Sequence, residues 1–494
     1  MLRPINSPRY AISAAAELVN AEKLNFKDVE ISGATHRDSD VEPGDIFLAF
    51  PGAKVHGAQF ISQAKAKGAV AVLTDAEGAK LSQELPTLVV SRVRDAGAAL
   101  SASLYGYPIR DMQSIGITGT NGKTTVTTLL YQIFMAVGRE SGLIGTVETR
   151  IGDERAKSDR TTPEAPELQA LASAMVERHM RHLVMEISSH SLELKRMVGS
   201  HFSIVGFTNL SQDHLDFHGD MESYYRAKAQ LFTHEYAESG IVNIDSEYGL
   251  RLFNEAEISM MALSRSNPKA TWHFSEIHQV PSGAEFVIRG KDGVLLQSRT
   301  QMHGGFNLDN LLMAVAIAYE VGIDPLELAS IIPTLKGAPG RLEAVNLGQS
   351  YKVLVDYAHS PDAVTSVLGA ARDFTDGRLI AVLGCGGDRD KTKRPLMGEA
   401  LVQGSDIAIF TSDNPRSENP SQILKEMVGA NTITSPSSII EDRAEAISYA
   451  ISLAAPGDTV LVLGKGHEVG QEANGVVSPF DDRLQSAAAI EAHS

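Results

Sequence analysis

Short apolar runs alternate with longer amphipathic stretches along most of the chain. Uninterrupted apolar runs are typical of strands buried on both faces, and the longer stretches between them favour helices. The runs lie at residues 45–50, 69–73, 114–118, 182–187, 202–208, 353–356, 379–383, 407–411 and 459–463. Strands separated by helices predict parallel βαβ units, so we expect an α/β protein.

Two breaks divide this pattern into three parts. Residues 105–108, YGYP, indicate a linker, and residues 333–341, PTLKGAPGR, interrupt the pattern again. A chain of 494 residues is too long for one hydrophobic core, and its length suggests about three domains. We therefore expect domains at residues 1–110, 111–338 and 339–494.

Composition and charge narrow the class of protein. The chain has 44 Lys and Arg against 61 Asp and Glu, a formal net charge of −17, which argues against nonspecific binding to nucleic acid or an anionic membrane. No apolar run is long enough to span a bilayer, and the N-terminus lacks the apolar segment of a signal peptide. The single cysteine, Cys385, excludes an intrachain disulfide. These features predict a cytoplasmic protein, since that compartment keeps thiols reduced.

A glycine-rich turn joins the strand predicted at residues 114–118 to a helical pattern. Its backbone N–H groups and the start of the helix would bind phosphate, Lys123 would reach the terminal phosphates, and the hydroxyl of Thr124 would bind Mg²⁺. The spacing G-x-x-x-x-G-K-[ST] is not met, because Ile117 occupies the place of the first glycine. We expect ATP to bind at Gly119, Thr120, Asn121, Gly122, Lys123, Thr124 and Thr125.

Polar clusters follow directly after several predicted strands. They occupy residues 186–190, 209–219, 356–359, 384–389, 412–416 and 464–468. In open parallel sheets, ligands bind outside the carboxyl ends of the strands. We therefore expect the chemistry of the central and last parts to lie at the carboxyl edges of two sheets.

Some candidate residues have a structural interpretation beside a functional one. Glu186, at a strand end, is either a structural acid or a Mg²⁺ ligand, and a phosphate loop in the same domain favours the metal. His214 lies in the sequence DHLDFHG, which is either a hydrated loop or part of a second divalent-metal site. Lys228, judged from its helical pattern alone, is a surface lysine.

Further candidates lie in the last parts of the chain. Asn307 opens a predicted helix, where it is either an N-cap or a contact for adenine. Arg341, Arg389 and Arg416 lie in loops, where a guanidinium either clamps phosphate or carboxylate or forms a surface ion pair.

The motifs resemble those of the Mur ligases of peptidoglycan synthesis along nearly the whole chain. They are TGTNGKTT, MEISSHSLELKR, NLSQDHLDFHGDMESYYRAK, GGFNLDNLLMA, GRLE, DYAHSPDA, GCGGDRDKTKRPLMG, SDNPR and GKGHE, in that order. The resemblance implies an N-terminal α/β domain for a UDP-linked substrate, a central P-loop ATPase domain with a parallel sheet, and a C-terminal Rossmann-like domain that binds an amino acid. It also implies a cytoplasmic ligase of cell-wall synthesis, with a role in cell shape and division, that acts as a monomer.

The family reaction assigns roles to the ATP-site residues. ATP phosphorylates the D-glutamyl carboxylate of UDP-N-acetylmuramoyl-L-alanyl-D-glutamate, and an incoming amine displaces phosphate from the acyl phosphate. Metal ions and Lys123 would offset the charge between the two anions. By resemblance, Thr124 and Glu186 bind one Mg²⁺, while His214 and a carbamylated Lys228 bind a second. The matching nucleotide contacts are Asn307, Arg341, Asp356 and His359.

The resemblance also implies residues that bind the UDP-linked substrate. They are Asp38, Ala53, Lys54, Val55, Gly57, Thr161, Thr162, Ser188 and Arg196. Many family members carry Asp-Ser-Arg in the first domain, whereas residues 35–39 here are THRDS.

The identity of the added amino acid depends on residues 413–416, DNPR. In the family this motif accompanies meso-2,6-diaminopimelate, and members that add lysine usually lack the Arg. Diaminopimelate carries a second carboxylate, which needs a guanidinium partner. Lysine has no such carboxylate and needs no such partner. The matching positions are Arg389, Asp413, Asn414, Pro415, Arg416, Gly464 and Glu468. The alternatives are L-lysine or another diamino acid, a folylpolyglutamate-synthase-like ligase, a P-loop ATPase or kinase, and a nonenzymatic nucleotide-binding module.

Overall fold

A computed structural model describes residues 2–52, 55–82, 84–152, 154–158, 160–280 and 283–493. These residues form the expected α/β fold. The chain divides into two compact units. Unit 1 comprises Met1–Phe274, Ile288–Leu295 and Leu312–Ile331, and unit 2 comprises Ser275–Val287, Leu296–Leu311 and Ile332–Ser494.

The strands are β1 Tyr10–Ala11, β2 Glu22–Leu24, β3 Glu30–Ile31, β4 Gly33–Thr35, β5 Asp45–Leu48, β6 Ala71–Thr74, β7 Thr87–Val89, β8 Gln113–Thr118, β9 Ser141–Ile144, β10 Glu148–Ile151, β11 Glu154–Lys157, β12 His182–Glu186, β13 Phe202–Phe207, β14 Ala237–Asn243, β15 Ser259–Ser264, β16 Trp272–Val280, β17 Gly283–Arg289, β18 Leu295–Thr300, β19 Glu343–Ala344, β20 Lys352–Asp356, β21 Leu379–Cys385, β22 Ile407–Ser412, β23 Ser438–Ile439, β24 Thr459–Leu463, β25 Gly470–Ala473 and β26 Val476–Pro479.

The α-helices are α1 Ile12–Leu18, α2 Ile61–Ala66, α3 Ala76–Ala79, α4 Val93–Leu104, α5 Lys123–Ala136, α6 Ala165–Glu177, α7 Ser189–Glu193, α8 Leu215–His218, α9 Met221–Ala229, α10 Glu247–Glu255, α11 Gly305–Glu320, α12 Pro325–Ile331, α13 Pro361–Arg372, α14 Lys393–Gly404, α15 Pro420–Val428, α16 Arg443–Ser452 and α17 Asp482–His493. Short 3₁₀ helices lie at Asp38–Asp40, Gly57–Phe60, Pro108–Asp111, Gln230–Phe232, Lys291–Gly293 and Ile332–Thr334.

The first sheet of unit 1 has the strand order β2-β7-β6-β5-β4. Strands β4 to β7 run parallel, and β2 pairs antiparallel with β7. The apolar runs predicted at residues 45–50 and 69–73 form β5 and β6. Ile46, Leu48 and Leu73 are fully buried in the core of this sheet.

The largest sheet has the order β11-β10-β9-β12-β8-β13-β14-β15-β16-β17-β18. Its centre is parallel, as predicted, because β8 lies between β12 and β13 and is parallel to both. Glu186 of β12 is in register with Ile117, and Phe207 of β13 with Thr118. The carboxyl ends of these strands therefore coincide where the phosphate loop begins. The antiparallel strands β10 and β11 at one edge were not predicted.

The sheet of unit 2 has the order β19-β20-β24-β21-β22-β23. Strands β20 to β24 run parallel to one another, and only β19 is antiparallel among them. Asp356 and Leu383 are both in register with Leu463, and Cys385 with Ser412. The four polar clusters that follow these strands therefore leave from one edge of the sheet, as predicted.

A hairpin follows the last of these clusters. Strands β25 and β26 pair antiparallel, and Asn474 and Gly475 at the turn have φ values of 50° and 76°. Two positive φ values in succession are typical of a type I′ turn, for which Asn-Gly is the preferred sequence. The hairpin was not predicted, although its turn signal stands in the sequence. Nowhere in the described part of the chain is there a helix long and apolar enough to cross a membrane.

Candidate active site

The phosphate loop has the backbone that its glycines predict. Gly122 caps α5 with a φ of 88°, and Gly119 has a φ of 144°. A Cβ atom at Gly119 would lie 1.9 Å from the hydroxyl oxygen of Thr208. Lys123 begins α5, and its ammonium donates to the carbonyl oxygens of Gly119 and Thr120, at 2.8 Å each. The lysine therefore lies over the loop that would bind the phosphates.

Thr124 and Glu186 lie side by side at the start of α5 and the end of β12. The Thr124 hydroxyl donates to Oε2 of Glu186 at 3.0 Å. Thr146, between β9 and β10, adds its backbone N–H at 2.7 Å to Oε1 and its hydroxyl at 3.0 Å to Oε2. Glu186 is only 1% exposed, so these donors orient a buried carboxylate.

This oxygen pair fits a Mg²⁺ ion. Hydroxyl and carboxylate oxygens are ligands that Mg²⁺ prefers, and the ion usually takes its other ligands from substrate phosphates and water. Within the described residues, no group of three or more His, Cys, Asp or Glu side chains could hold a metal ion. Thr124 and Glu186 would therefore need the nucleotide to complete a site.

Lys228 contradicts the interpretation as a surface lysine. Its side chain is buried in α9, with 1% of the residue exposed, and its ammonium donates to the Gly119 carbonyl at 2.9 Å. The ammonium also lies 4.8 Å from the centre of the Tyr224 ring. Burial, and after it the charge of Lys123, lower the pKa of Lys228 well below its usual value. The helical pattern did not reveal that this face of α9 packs under the phosphate loop.

His214 precedes α8 in a left-handed conformation with a φ of 53°. Its ring packs edge-on against His190, at 4.8 Å between ring centres, and against Tyr224, at 6.4 Å. The same Tyr224 ring lies beside the Lys228 ammonium. Among the contacts of the described residues, His214 and Lys228 share Tyr224 as a neighbour but do not bond to each other. The second metal site predicted for them stays a prediction.

Four of the residues predicted to bind the UDP-linked substrate form one cluster. Thr162 donates to the carbonyl of Glu186 at 2.9 Å and accepts from the backbone N–H of Ser188 at 3.0 Å. Arg196 donates to the Thr162 carbonyl at 2.9 Å. Thr161 accepts a hydrogen bond from the Thr146 hydroxyl at 3.0 Å, so this cluster is joined to the Thr124–Glu186 pair.

An excess of positive charge surrounds this cluster. Arg94 and Arg196 each lie 3.0 Å from the carboxylate of Glu164, which also pairs with Arg160. Burial works to raise the pKa of Glu164, but Arg196 and Arg94 hold it below its usual value. Three guanidiniums against one carboxylate make a local cationic site in a chain with a net charge of −17. Such a site suits an anionic ligand.

Three other residues predicted for this substrate, Asp38, Val55 and Gly57, lie between the strands of the first sheet. Asp38 begins a 3₁₀ helix and is half-buried, and Val55 is exposed. Gly57 donates its N–H to the Phe50 carbonyl at 2.9 Å, where a Cβ would lie 2.8 Å from the same oxygen. Ala53 and Lys54 lie outside the described residues.

Asn307 is not an N-cap. Helix α11 already begins at Gly305, and the Asn307 amide donates from Nδ2 to the His303 carbonyl at 2.9 Å. A capping side chain would instead accept a backbone N–H through its oxygen. Oδ1 of Asn307 is buried without a hydrogen-bond partner. Since a buried polar atom seeks a partner, this oxygen suits a donor such as the amino group of adenine.

Asp356 organises the other predicted nucleotide contacts in unit 2. Its two oxygens accept the backbone N–H groups of Leu342 and Ala358, at 2.8 Å each. Burial raises the pKa of Asp356, although Arg341 and these two donors work in the opposite direction. The Arg341 guanidinium lies 4.9 Å from the centre of the Tyr357 ring. His359, whose ring packs against the same Tyr357, is exposed.

The DNPR and GKGHE motifs meet through Asn414 and Glu468. Nδ2 of Asn414 donates to Oε2 of Glu468 at 2.8 Å, and Asp413 accepts the Asn414 N–H at 2.6 Å. Gly464 has a φ of 113°, and a Cβ there would lie 2.8 Å from Oδ2 of Asp413. The close approach of these two loops therefore requires glycine at position 464.

Arg416 is held in an unusual backbone conformation. Its φ is 51°, which is rare for a residue other than glycine, and its N–H donates to the Glu472 carbonyl at 3.0 Å. Nη1 of Arg416 donates to the Gly387 carbonyl at 2.7 Å. Pro415 approaches the same loop, because a Cβ at Gly387 would lie 1.9 Å from its carbonyl oxygen. Arg389, in the loop after β21, is exposed.

Two buried arginines support these loops and were missed. Arg394, in α14, donates to the carboxylate of Glu418 at 2.8 and 3.1 Å, and Glu418 in turn accepts the N–H of Asp388. Arg443, in α16, donates to the carbonyls of Ser412 and Leu463, which end β22 and β24. Neither arginine stands in a pattern that indicates its burial.

Comparison with known proteins agrees with this geometry. Three family models match in chain order: "Mur ligase family, catalytic domain" at residues 30–104, "Mur ligase middle domain" at residues 117–318, and "Mur ligase, glutamate ligase domain" at residues 340–466. The chain belongs to the Mur ligase family. It is therefore an ATP-dependent ligase that forms amide bonds, with the three-domain architecture of that family.

Curated relatives are similar along almost the whole chain. A protein of Streptomyces avermitilis is 49% identical over 94% of this chain and 93% of its own length, and one of Streptomyces coelicolor is 47% identical over 99% and 98%. Both are named UDP-N-acetylmuramoyl-L-alanyl-D-glutamate–2,6-diaminopimelate ligase, the enzyme called MurE. A solved structure of an enzyme with the same name is 32% identical, covers 97% of this chain and 98% of its own, and superposes with a TM-score of 0.70.

Proposed function

We propose that this ligase joins meso-2,6-diaminopimelate to UDP-N-acetylmuramoyl-L-alanyl-D-glutamate at the expense of ATP. The observation that carries the substrate assignment is the fixed Arg416. The backbone of Arg416 is set by its left-handed conformation and by the Glu472 carbonyl, and its guanidinium donates to the Gly387 carbonyl. A guanidinium held in this way suits the second carboxylate of diaminopimelate, and the relatives named above support the assignment.

The proposed reaction has two steps. The γ-phosphoryl group of ATP passes to a carboxylate oxygen of the D-glutamyl residue, which gives an acyl phosphate and ADP. An amino group of diaminopimelate then attacks the acyl carbon, the C–O bond to phosphate breaks, and the amine loses a proton as the amide forms. Lys123 would neutralise the transferring phosphoryl group from its place over the loop.

The metal requirement is part of the proposal. Thr124 and Glu186 would hold one Mg²⁺, which when bound reduces the repulsion between ATP and the carboxylate. His214 and Lys228 would contribute to a second. Thr161, Thr162, Ser188 and Arg196 would orient the UDP-linked substrate, with the cationic site around Glu164 close to its anionic groups. Asn307, Arg341, Asp356 and His359 would bind the nucleotide.

Carbamylation of Lys228 is part of the proposal, and the environment of its side chain supports it. CO₂ reacts with a neutral amine, and burial, which lowers the pKa of Lys228, favours that form. The product is an anionic carbamate, which can bind a cation where an ammonium cannot. Mass spectrometry of the intact protein in bicarbonate should detect one added CO₂, and the Lys228→Met variant should lack it.

Phosphate release tests the reaction. The purified enzyme should release phosphate from ATP only when the UDP-linked dipeptide and an amino acid are both present, and meso-diaminopimelate should support turnover better than L-lysine or L-ornithine. Turnover with lysine but not with diaminopimelate would contradict the substrate assignment. ATP turnover without an amine would contradict the ligase reaction itself.

Substitution of Arg416 tests the assignment at the residue. Arg416→Ala should raise the KM for diaminopimelate far more than the KM for ATP, since the guanidinium would contact only the amino acid. Arg372→Ala, at an exposed ion pair with Asp406, is the control. Equal effects on both KM values would place Arg416 outside the amino-acid site. We further propose a cytoplasmic monomer, which fractionation of cells and sedimentation of the purified protein would test.

A further inference from the structure

Lys465 is fully buried, although lysine is among the residues least often found inside proteins without a partner. It follows β24 within the GKGHE motif. Its ammonium donates to Oδ1 of Asn414 at 3.0 Å and lies 3.2 Å from Oε2 of Glu468. Both partners are residues to which we assign contact with the diamino acid, whereas Lys465 itself has no role in the reaction as described.

The flanking glycines explain why this lysine points inward. Gly464 and Gly466 have φ values of 113° and 53°, which favour glycine. A Cβ at Gly466 would lie 2.7 Å from the Gly340 carbonyl oxygen and 2.7 Å from Cβ of Tyr357. The chain therefore turns tightly around Lys465 and directs its side chain into unit 2. Gly-Lys-Gly here does not serve as a second phosphate loop, because its ammonium is engaged inside the protein.

The contacts of Lys465 fix the orientation of the Asn414 amide. Oδ1 of Asn414 accepts both the Lys465 ammonium and the backbone N–H of Glu472, each at 3.0 Å. With its oxygen held by two donors, the amide must present Nδ2 on its other side, where it donates to Oε2 of Glu468 at 2.8 Å. Without the ammonium, one of the two interactions that distinguish the oxygen from the nitrogen is lost.

The same contacts orient the carboxylate of Glu468. The Lys465 ammonium and the Asn414 amide both approach Oε2, which leaves Oε1 to a further donor such as the ammonium group of a diamino acid. The positive charge of Lys465 also offsets the negative charge of the Glu468 carboxylate. The same site contains a second carboxylate, that of Asp413, which is 8% exposed. Lys465 therefore sets both the direction and the charge of the groups around it.

We propose that Lys465 is the positioning residue of the amino-acid site, which acts through Asn414 and Glu468 without contacting the substrate. This inference rests on the proposed function, because it assumes that these two residues bind the diamino acid. It predicts that loss of the ammonium weakens binding of the amino acid and leaves binding of ATP and of the UDP-linked substrate unchanged.

The test is a steady-state comparison of Lys465→Met with wild type. The KM for meso-diaminopimelate should rise at least about tenfold, a change that corresponds to about 1.4 kcal/mol. The KM values for ATP and the UDP-linked dipeptide should change less than about twofold, as expected for residues without shared partners. Lys425→Met, at an exposed lysine in α15, is the matched control and should leave all three KM values unchanged.

A double-mutant cycle tests whether Lys465 acts through Glu468. If it does, Glu468→Gln and the double variant Lys465→Met/Glu468→Gln should raise the KM for diaminopimelate by similar factors, because neighbours in one network are not additive. Multiplicative effects of the two substitutions would overturn the proposal. An equal rise in all three KM values for Lys465→Met would overturn it too, since that result indicates a general structural role.

A second variant and a wild-type measurement separate failure of this inference from failure of the proposed function. Should Lys465→Met fail to fold, as judged by circular dichroism, the same comparison is made with Lys465→Gln, which retains a polar donor but not the charge. Unchanged diaminopimelate kinetics in a folded variant would overturn the inference while the proposed function stands. Failure of the wild-type enzyme to use diaminopimelate would instead overturn the proposed function.

Discussion

The hydroxyl of Thr124 donates a hydrogen bond to Oε2 of Glu186 over 3.0 Å. The two residues are 62 positions apart, yet the parallel pairing of β8 with β12 brings them together. Glu186 is in register with Ile117 at the end of β8, and the loop that follows carries Thr124 into the first turn of α5. The two proposed ligands of one metal ion thus come from the end of β12 and from the start of the helix that follows β8.

Loss of the Thr124 hydroxyl should weaken the response to Mg²⁺. In Thr124→Val, the concentration of Mg²⁺ needed for half-maximal phosphate release should rise at least about 10-fold, because mutation even of groups that only support metal ligands lowers metal affinity by about 10–100-fold. Thr124→Ser retains the hydroxyl and should stay close to wild type. A Thr124→Val enzyme with an unchanged Mg²⁺ dependence would show that this hydroxyl is not a ligand.

Gly119 is the glycine of the phosphate loop that should tolerate substitution least. Alanine there would place its Cβ 1.9 Å from the Thr208 hydroxyl, which itself donates to the Asn121 carbonyl at 2.6 Å. The loop would have to move, and a displacement of about 1 Å can lower the rate about 10²-fold. We expect kcat/KM for ATP to fall by that order in Gly119→Ala, as measured by phosphate release.

Gly138 supplies the control for that substitution. It also has a positive φ, of 69°, but a Cβ there would meet nothing within 4 Å. Gly138→Ala should therefore cost only about 1–2 kcal/mol of backbone strain and leave the ATP kinetics unchanged. Similar losses of activity in both variants would mean that positive φ, and not the contact with Thr208, limits position 119.

The sequence predicted the parallel core and its polar edges because both depend on local patterns. The strands before the polar clusters are largely apolar runs, and parallel pairing places the residues that follow such runs at one edge. Strands β14 (AESGIVN) and β15 (SMMALS) also pair parallel but contain polar residues, and they were not predicted. Glu186, Asp356 and Asp413 could be found in this way. The edge strands β10 and β11 escaped prediction, since they are short and partly exposed and thus lack an apolar run.

Burial of single polar side chains could not be predicted. Lys228 lies in a stretch, YYRAKAQLF, whose charges suggest exposure, but its position under the Gly119 carbonyl depends on a contact 109 residues away. The capping alternative at Asn307 is wrong in register, because α11 begins three residues earlier than an N-cap at position 307 requires. Lys465 and Arg443 present the same difficulty, since Lys465 contacts Asn414 after β22 and Arg443 contacts Asp482 at the start of α17.

Arg443 should be essential for the stability of unit 2. It forms an ion pair with Asp482 at 2.7 Å in which neither side chain is exposed. Arg443→Met would leave the Asp482 carboxylate buried without its cation, which typically costs about 3–5 kcal/mol of unfolding free energy. Urea denaturation measures the loss.

Two further variants show which interaction of Arg443 is responsible for the loss of stability. Arg372→Met removes an ion pair whose side chains are 43% and 44% exposed, and it should cost less than about 1 kcal/mol. The double variant Arg443→Met/Asp482→Leu removes both buried charges and should be more stable than Arg443→Met alone. A double variant less stable than the single one would mean that the carbonyl contacts of Arg443, and not its charge, dominate.

Unit 2 should lose stability in mild acid through His303. Burial, and after it the charge of Lys352, lower the pKa of His303 from 6.5 to about 4, and its ring packs 4.7 Å from that of Phe374. The pKa of His303 is thus lower in the folded than in the unfolded state. As the pH falls from 6.5 to about 4, His303 therefore takes up a proton in the unfolded chain but stays neutral in the folded chain. The free energy of unfolding should therefore decrease across that interval. In His303→Phe, urea denaturation at successive pH values should show a shallower decrease, whereas the same slope in both proteins would show that His303 does not titrate in this way.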